Sequence, residues 1–206
     1  MRTPEQDERH DLTLAVWGHA SPLIVRDQSA IKVGVKCSLG CDLAGTEIEL
    51  RGDTAGKVGQ GALGATPWPG TTALYWTELN FAAPSVDGPH SWTVAVPAVS
   101  SGPAHDEASV PFSFIAVGPP EHRVTLKIAK KDAGTAIDAV EVRAGVFRAA
   151  TDLAGLATLD LPPGTYDLNV WKSGYELAST TVEVAGDVQV DLALVPAPVV
   201  EEEYWK

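Results

Sequence analysis

Punctuation is what most constrains this chain. Short runs of alternating apolar and polar residues recur along its length. Each is closed by a cluster of turn-forming residues, and none carries the 3.6-residue period of a helix. Thr46-Glu-Ile-Glu-Leu-Arg51 shows the pattern, with Ile48 and Leu50 on one face and Glu47, Glu49 and Arg51 on the other. Nineteen Gly and 15 Pro in 206 residues supply the turns that many short strands require. A strand with one apolar face must bury it against a second sheet, so the pattern predicts sandwiches.

Residues 1–11 read as a polar arm. Strands are predicted at 12–17, 29–37, 46–51, 73–81, 91–96 and 108–117. The Gly- and Pro-rich stretch 52–70 reads as a long loop or irregular edge. About seven short strands over about 105 residues match an immunoglobulin-like β-sandwich spanning 12–117. Gly118-Pro-Pro120 opens a stiff linker, 118–121, because consecutive prolines favour extended backbone. A second series over 122–195 has strands at 122–129, 139–143, 156–161, 164–171, 178–184 and 187–194. An acidic, aromatic tail, 196–206, leaves it through prolines. The fold class expected is all-β, two tandem β-sandwiches.

The second series carries Ala139-Val-Glu-Val142, Thr151-Asp-Leu-Ala-Gly155, Ala157-Thr-Leu-Asp-Leu-Pro-Pro-Gly-Thr-Tyr166 and Gly174-Tyr175. In these residues it resembles the carboxypeptidase regulatory-like family, the transthyretin-type (prealbumin-like) sandwich also called the peptidase-associated domain. The resemblance covers roughly 122–195 and implies a fold, with a structural or binding role. Asp152 and Gly155 suit a turn, one bonding its own backbone and the other admitting positive φ. Tyr166 falls where a ring can send its hydroxyl back to the chain. The first series resembles bacterial immunoglobulin-like domains in general pattern only.

Fifteen Lys and Arg stand against 27 Asp and Glu, a net charge of −12. Such a surface repels polyanions, which excludes a general nucleic-acid binder. No run approaches the ~18 apolar residues of a membrane-spanning helix, and no apolar leader follows Met1. The expectation is a cytoplasmic protein if this is the full precursor, and a periplasmic or extracellular one if a leader has been removed.

Cys37-Ser-Leu-Gly-Cys41 is a three-residue gap that leaves three states open: a local disulfide, two free thiols, or half of a metal site. The five histidines, His10, His19, His90, His105 and His122, show no HxH or HxxxH spacing, so no metal motif is read and no cofactor is expected. His10 and His19 could still meet in space and with His90 make a copper or zinc site, and a metal or redox site at Cys37 and Cys41 would draw on His10 and His19. Ser91 follows His90, but no Gly-x-Ser-x-Gly elbow exists. An intradiol dioxygenase of the transthyretin type would need two Tyr and two His for iron, and His122 is the only histidine of the second series. Arg51-Gly-Asp53 matches an adhesion tripeptide and reads as a turn.

Trp68, between Pro67 and Pro69, is a stiffly held aromatic suited to stacking on a sugar or a protein. Glu201, Glu202, Glu203, Tyr204 and Trp205 pair charge with aromatics, a combination suited to a basic groove. The function expected is a non-catalytic accessory or structural subunit that binds a protein partner through loops and terminal arms. The alternative is a carbohydrate- or cell-surface-binding module. A small metal or redox protein stands third.

Overall fold

The computed structural model describes residues 10–54, 56–98 and 104–198. Among the described residues there is no helix, and the chain divides between Val117 and Gly118 into two compact units. The protein is all-β.

The first unit has eight strands: β1 (Leu12–Trp17), β2 (Leu23–Ile24), β3 (Gln28–Cys37), β4 (Glu47–Arg51), β5 (Lys57–Ala62), β6 (Tyr75–Ala82), β7 (Gly88–Val96) and β8 (Ala108–Val117). They form a three-stranded sheet, β1-β3-β6, and a five-stranded sheet, β2-β8-β7-β4-β5. Pairing is antiparallel except for β2 with β8. Alternate residues point inward: Ile31, Val33 and Val35 from β3 pack with Ile48 and Leu50 from β4, Leu79 from β6 and Val94 from β7, all essentially inaccessible. Burying each such side chain contributes roughly 1.5–3 kcal/mol, which is what holds two sheets together.

The stretch 52–70 is not simply a loop. Residues 57–62 pair with β4 as the edge strand β5. Its glycines hid it from the alternation rule, and packing explains them. A Cβ at Gly61 would lie 2.5 Å from Leu79 Cδ2, so the facing sheet presses directly on the β5 backbone.

The second unit has seven strands: β9 (His122–Lys130), β10 (Glu141–Ala144), β11 (Phe147–Ala150), β12 (Leu156–Leu161), β13 (Gly164–Trp171), β14 (Ala178–Val184) and β15 (Val188–Leu194). Sheets β11-β10-β13-β14 and β12-β9-β15 enclose Val124, Leu126, Ile128, Val142, Leu168 and Val170. β15 runs parallel to β9. The turn motifs behave as their chemistry requires. Asp152 Oδ1 accepts from the amides of Ala154 (2.8 Å) and Leu156 (3.0 Å), and Gly155 has φ +74. Tyr166 donates its hydroxyl to the Pro162 carbonyl at 3.0 Å.

Candidate metal centre

Three stretches of the first unit converge at one end of the sandwich. β3 ends at Cys37, and a tight turn follows in which the Gly40 amide donates to the Cys37 carbonyl (3.1 Å). Gly40 holds φ +69, a conformation that glycine adopts without strain, and this brings Cys41 back over Cys37. The segment before β1 lies on the same turn. The Ser38 amide donates to the Asp11 carbonyl (2.9 Å), and the Asp11 amide donates to Ser38 Oγ (3.2 Å). That clasp delivers His10. The connection from β7 to β8 delivers His105 from the other sheet.

Four donor atoms, one each from His10, Cys37, Cys41 and His105, lie within 4.8 Å of one another. The Sγ atoms of Cys37 and Cys41 are 3.2 Å apart, and both cysteines are free thiols, so the local disulfide that the spacing allows is not formed here. His10 Nδ1 lies 3.0 Å from Cys41 Sγ and 3.7 Å from Cys37 Sγ. The His10 and His105 rings meet edge to face at 5.3 Å. Cys37 is fully buried, and His105 is only 8% exposed. His105 Nε2 is buried with no hydrogen-bond partner among the described residues. A buried imidazole nitrogen without a partner is costly, on the order of 1–3 kcal/mol, and calls for an explanation.

The electrostatics favour a thiolate at Cys37. Burial pushes its pKa up, but hydrogen bonds from the Cys41 backbone and thiol, the Leu39 amide and His105 outweigh that and lower it to about 5. Cys41 moves the other way, raised by burial and by the neighbouring Cys37. Thiolate sulfur and imidazole nitrogen together are the donor set of borderline-soft divalent ions.

The other predicted residues fall elsewhere. His19 packs against Phe112, with ring centroids 5.5 Å apart, and His90 bonds Asp53 at 2.6 Å, so neither joins the cluster. His105 takes the place that the sequence reading gave to His19. Within Arg51-Gly-Asp53, Arg51 pairs with Glu49 (2.9 Å) and Glu107 (2.7 Å), and Asp53 is held by His90, Ser91 and Trp92. The tripeptide's charges are therefore engaged within the fold. Trp68 is half-buried between Trp17 (5.2 Å) and Trp76 (4.8 Å), both edge to face, with Lys32 Nζ 5.8 Å from its ring. Glu201, Glu202, Glu203, Tyr204 and Trp205 lie outside the described residues, as do residues 1–9 of the arm. The exposed aromatic that sequence reasoning missed is Trp171, 52% exposed, beside Leu177, Arg143, Asn169 and Glu141. The alternation of β13 was the available signal, since Leu168 and Val170 point inward and put Trp171 on the outer face.

No protein-family model matches the chain, and no curated protein matches it. Among solved structures, the chain is similar to the major pilin subunit BcpA of Bacillus cereus, at TM-score 0.34 and 8% identity over 90% of this chain and 71% of that one. It is also similar to the adhesin InvE of Yersinia pseudotuberculosis, at TM-score 0.30 and 14% identity over 84% and 58%. A third is a type II cohesin–X-dockerin complex from Acetivibrio cellulolyticus, at TM-score 0.31 and 22% identity. There the match covers 34% of this chain and about half, 51%, of the other. Among the described residues no helix is long and apolar enough to cross a membrane.

Proposed function

We propose that the first unit is a metal-binding β-sandwich holding one tetrahedral divalent ion, zinc by its donor chemistry, through His10, Cys37, Cys41 and His105. The observation that carries this is the convergence of four donor atoms within 4.8 Å from three separate stretches of chain. Tetrahedral zinc with Zn–S near 2.3 Å and Zn–N near 2.0–2.1 Å requires donors roughly 3.3–3.8 Å apart, so small side-chain movements complete the shell. A Cys-x3-Cys pair lies within the usual spacing of structural zinc sites, and four protein ligands leave no open position for water or substrate. The centre is accordingly structural. It ties the end of β3, the segment before β1 and the β7–β8 connection into one corner that spans both sheets. This keeps the chain in the non-catalytic class.

The test is metal content and coordination. Full-length protein loaded with zinc and desalted is expected to retain one ion per chain. Cobalt substitution is expected to give the visible bands of tetrahedral coordination with thiolate charge transfer. Cys37→Ser and His105→Ala are each expected to weaken zinc binding by at least tenfold. Wild-type protein that emerges metal-free, or that holds cobalt without thiolate bands, would overturn the reading.

We further infer that 122–195 is a carboxypeptidase regulatory-like module, an assignment supported by the quoted motifs and by its four- and three-stranded sheets. Docking on a protein partner through Trp68 and residues 201–206 stands as the proposal made by the sequence. A carbohydrate-binding reading is favoured at Trp171 rather than Trp68, because its exposed ring lies beside Arg143, Asn169 and Glu141, side chains able to bond sugar hydroxyls. On a glycan array, any signal is expected to vanish in Trp171→Ala and to persist in Trp68→Ala. The reverse would return the sugar site to the first unit.

A further inference from the structure

The same four residues hold a second chemistry, which rests on the metal reading above. We propose that the centre is oxidation-sensitive: a peroxide converts the Cys37/Cys41 pair to a disulfide, and the ion leaves because both of its sulfur ligands are consumed. The geometry places the pair between the two states. Its Sγ atoms are 3.2 Å apart, against about 3.8 Å for two thiolates on tetrahedral zinc and about 2.05 Å in a disulfide. Cys41 lies on the turn outside the sheets, next to Gly40, so either separation can be reached by turning the 38–41 loop while β3 stays in register with β1 and β6. The residues are four apart and their side chains already touch, so no rearrangement of the core stands in the way.

The two cysteines differ in what reaches them. Cys37 is wholly buried, whereas Cys41 is partly accessible. Peroxide therefore meets Cys41. As a ligand of the ion Cys41 would be held as a thiolate; that thiolate attacks one peroxide oxygen, the O–O bond breaks, and hydroxide departs and is protonated to water, which leaves a sulfenic acid. The Cys37 thiolate then attacks that sulfur. The S–S bond forms, the S–O bond breaks, and the hydroxide expelled takes a proton to become the second water. The two sulfurs lose two electrons in all, and peroxide gains two. Zinc stays divalent throughout and keeps only His10 and His105, which is too few donors to retain it. Loss of the ion removes the tie between His10 and the β7–β8 connection, so oxidation of two residues undoes a link between sheets.

The experiment uses zinc-loaded full-length protein, with metal stoichiometry measured before hydrogen peroxide is added. Zinc release is followed with a chromogenic chelator, free thiols are titrated, and the peptide spanning 37–41 is weighed. The expected result is one zinc released per two thiols lost, a peptide lighter by two hydrogens, and full recovery after a thiol reductant and fresh zinc. If the protein loads zinc and peroxide leaves both metal and thiols in place, the oxidation proposal fails and the metal reading stands. Release accompanied by sulfinic or sulfonic acid at Cys41, with no disulfide, also overturns it. If no zinc loads at all, the metal reading fails first and this proposal falls with it.

Discussion

His90 shows how one side chain sets a local pH window. Its Nδ1 meets Asp53 Oδ2 at 2.6 Å, and its Nε2 meets the Val86 carbonyl at 2.8 Å. An imidazole with acceptors at both nitrogens satisfies both only as a cation. Burial pushes the His90 pKa down, but Asp53 and the Val86 carbonyl outweigh it and raise it above the ordinary value. The His90 bond lowers the Asp53 pKa despite burial, helped by the Ser91 amide and the Trp92 indole N–H. The raised imidazole stabilises fully below its ordinary pKa of about 6.5, and that share is lost as pH rises through the raised value. The depressed carboxyl stabilises fully above its ordinary pKa of about 3.9, and its share is lost as pH falls through the lowered value. His90→Ala should therefore cost more stability near pH 6 than near pH 9. The pH-dependent part should be about 0.5 kcal/mol, kept small because Asp53 is half-exposed and screened. Stacking of His90 on Phe114 adds a part that does not change with pH. Denaturant midpoints of both proteins at the two pH values check this, and an equal loss at both would remove the ion pair from the account. These partners show why the candidate centre was only half legible. The Cys-x3-Cys spacing announces itself in one line of sequence, whereas His105 is brought in by strand order. Between two histidines remote from the cysteines, spacing offers no way to prefer His105 to His19.

At the scale of elements, the turns of the second unit were readable because each depends on the chemistry of one residue. Gly155 has φ +74, and a Cβ there would lie 2.5 Å from the Ile128 carbonyl oxygen. Gly155→Ala therefore combines a disfavoured backbone with a clash against β9, at a cost of about 2–4 kcal/mol. Thr151 straps the neighbouring segment: its hydroxyl donates to the Ile137 carbonyl (2.7 Å) and accepts from the Val140 amide (2.9 Å), all buried. Between those anchors Ala139 is held at φ 46, a conformation that persists only where its surroundings dictate it. Thr151→Val keeps the shape but strands two buried backbone groups, so a loss of about 2–4 kcal/mol is expected. Urea unfolding of each variant measures both, and a loss under 1 kcal/mol in either would mean that the turn relaxes around the change. Strands with clean alternation, such as β4 and β9, were legible for the same local reason. β5 was not, because the signal that makes it a strand is Leu79 pressing on Gly61 from the facing sheet.

For the whole molecule, the two units carry separate cores, one built on Ile31, Val33, Leu50 and Leu79, the other on Val124, Leu126, Ile128 and Leu168. All four candidate ligands belong to the first. An ion that binds only the folded state stabilises what it is attached to by mass action. At a free concentration a hundred times its Kd this amounts to about 2.7 kcal/mol, or roughly 10 °C for a unit of this size. Scanning calorimetry of the full chain should therefore resolve two transitions, and a chelator should lower one by about that amount while leaving the other in place. A fragment of residues 118–198 should keep the transition that ignores the chelator, since its sheets and core are complete without the first unit. A single transition that moves as a whole would instead mean that the two cores unfold together, and the metal would then be stabilising the entire chain through its first unit.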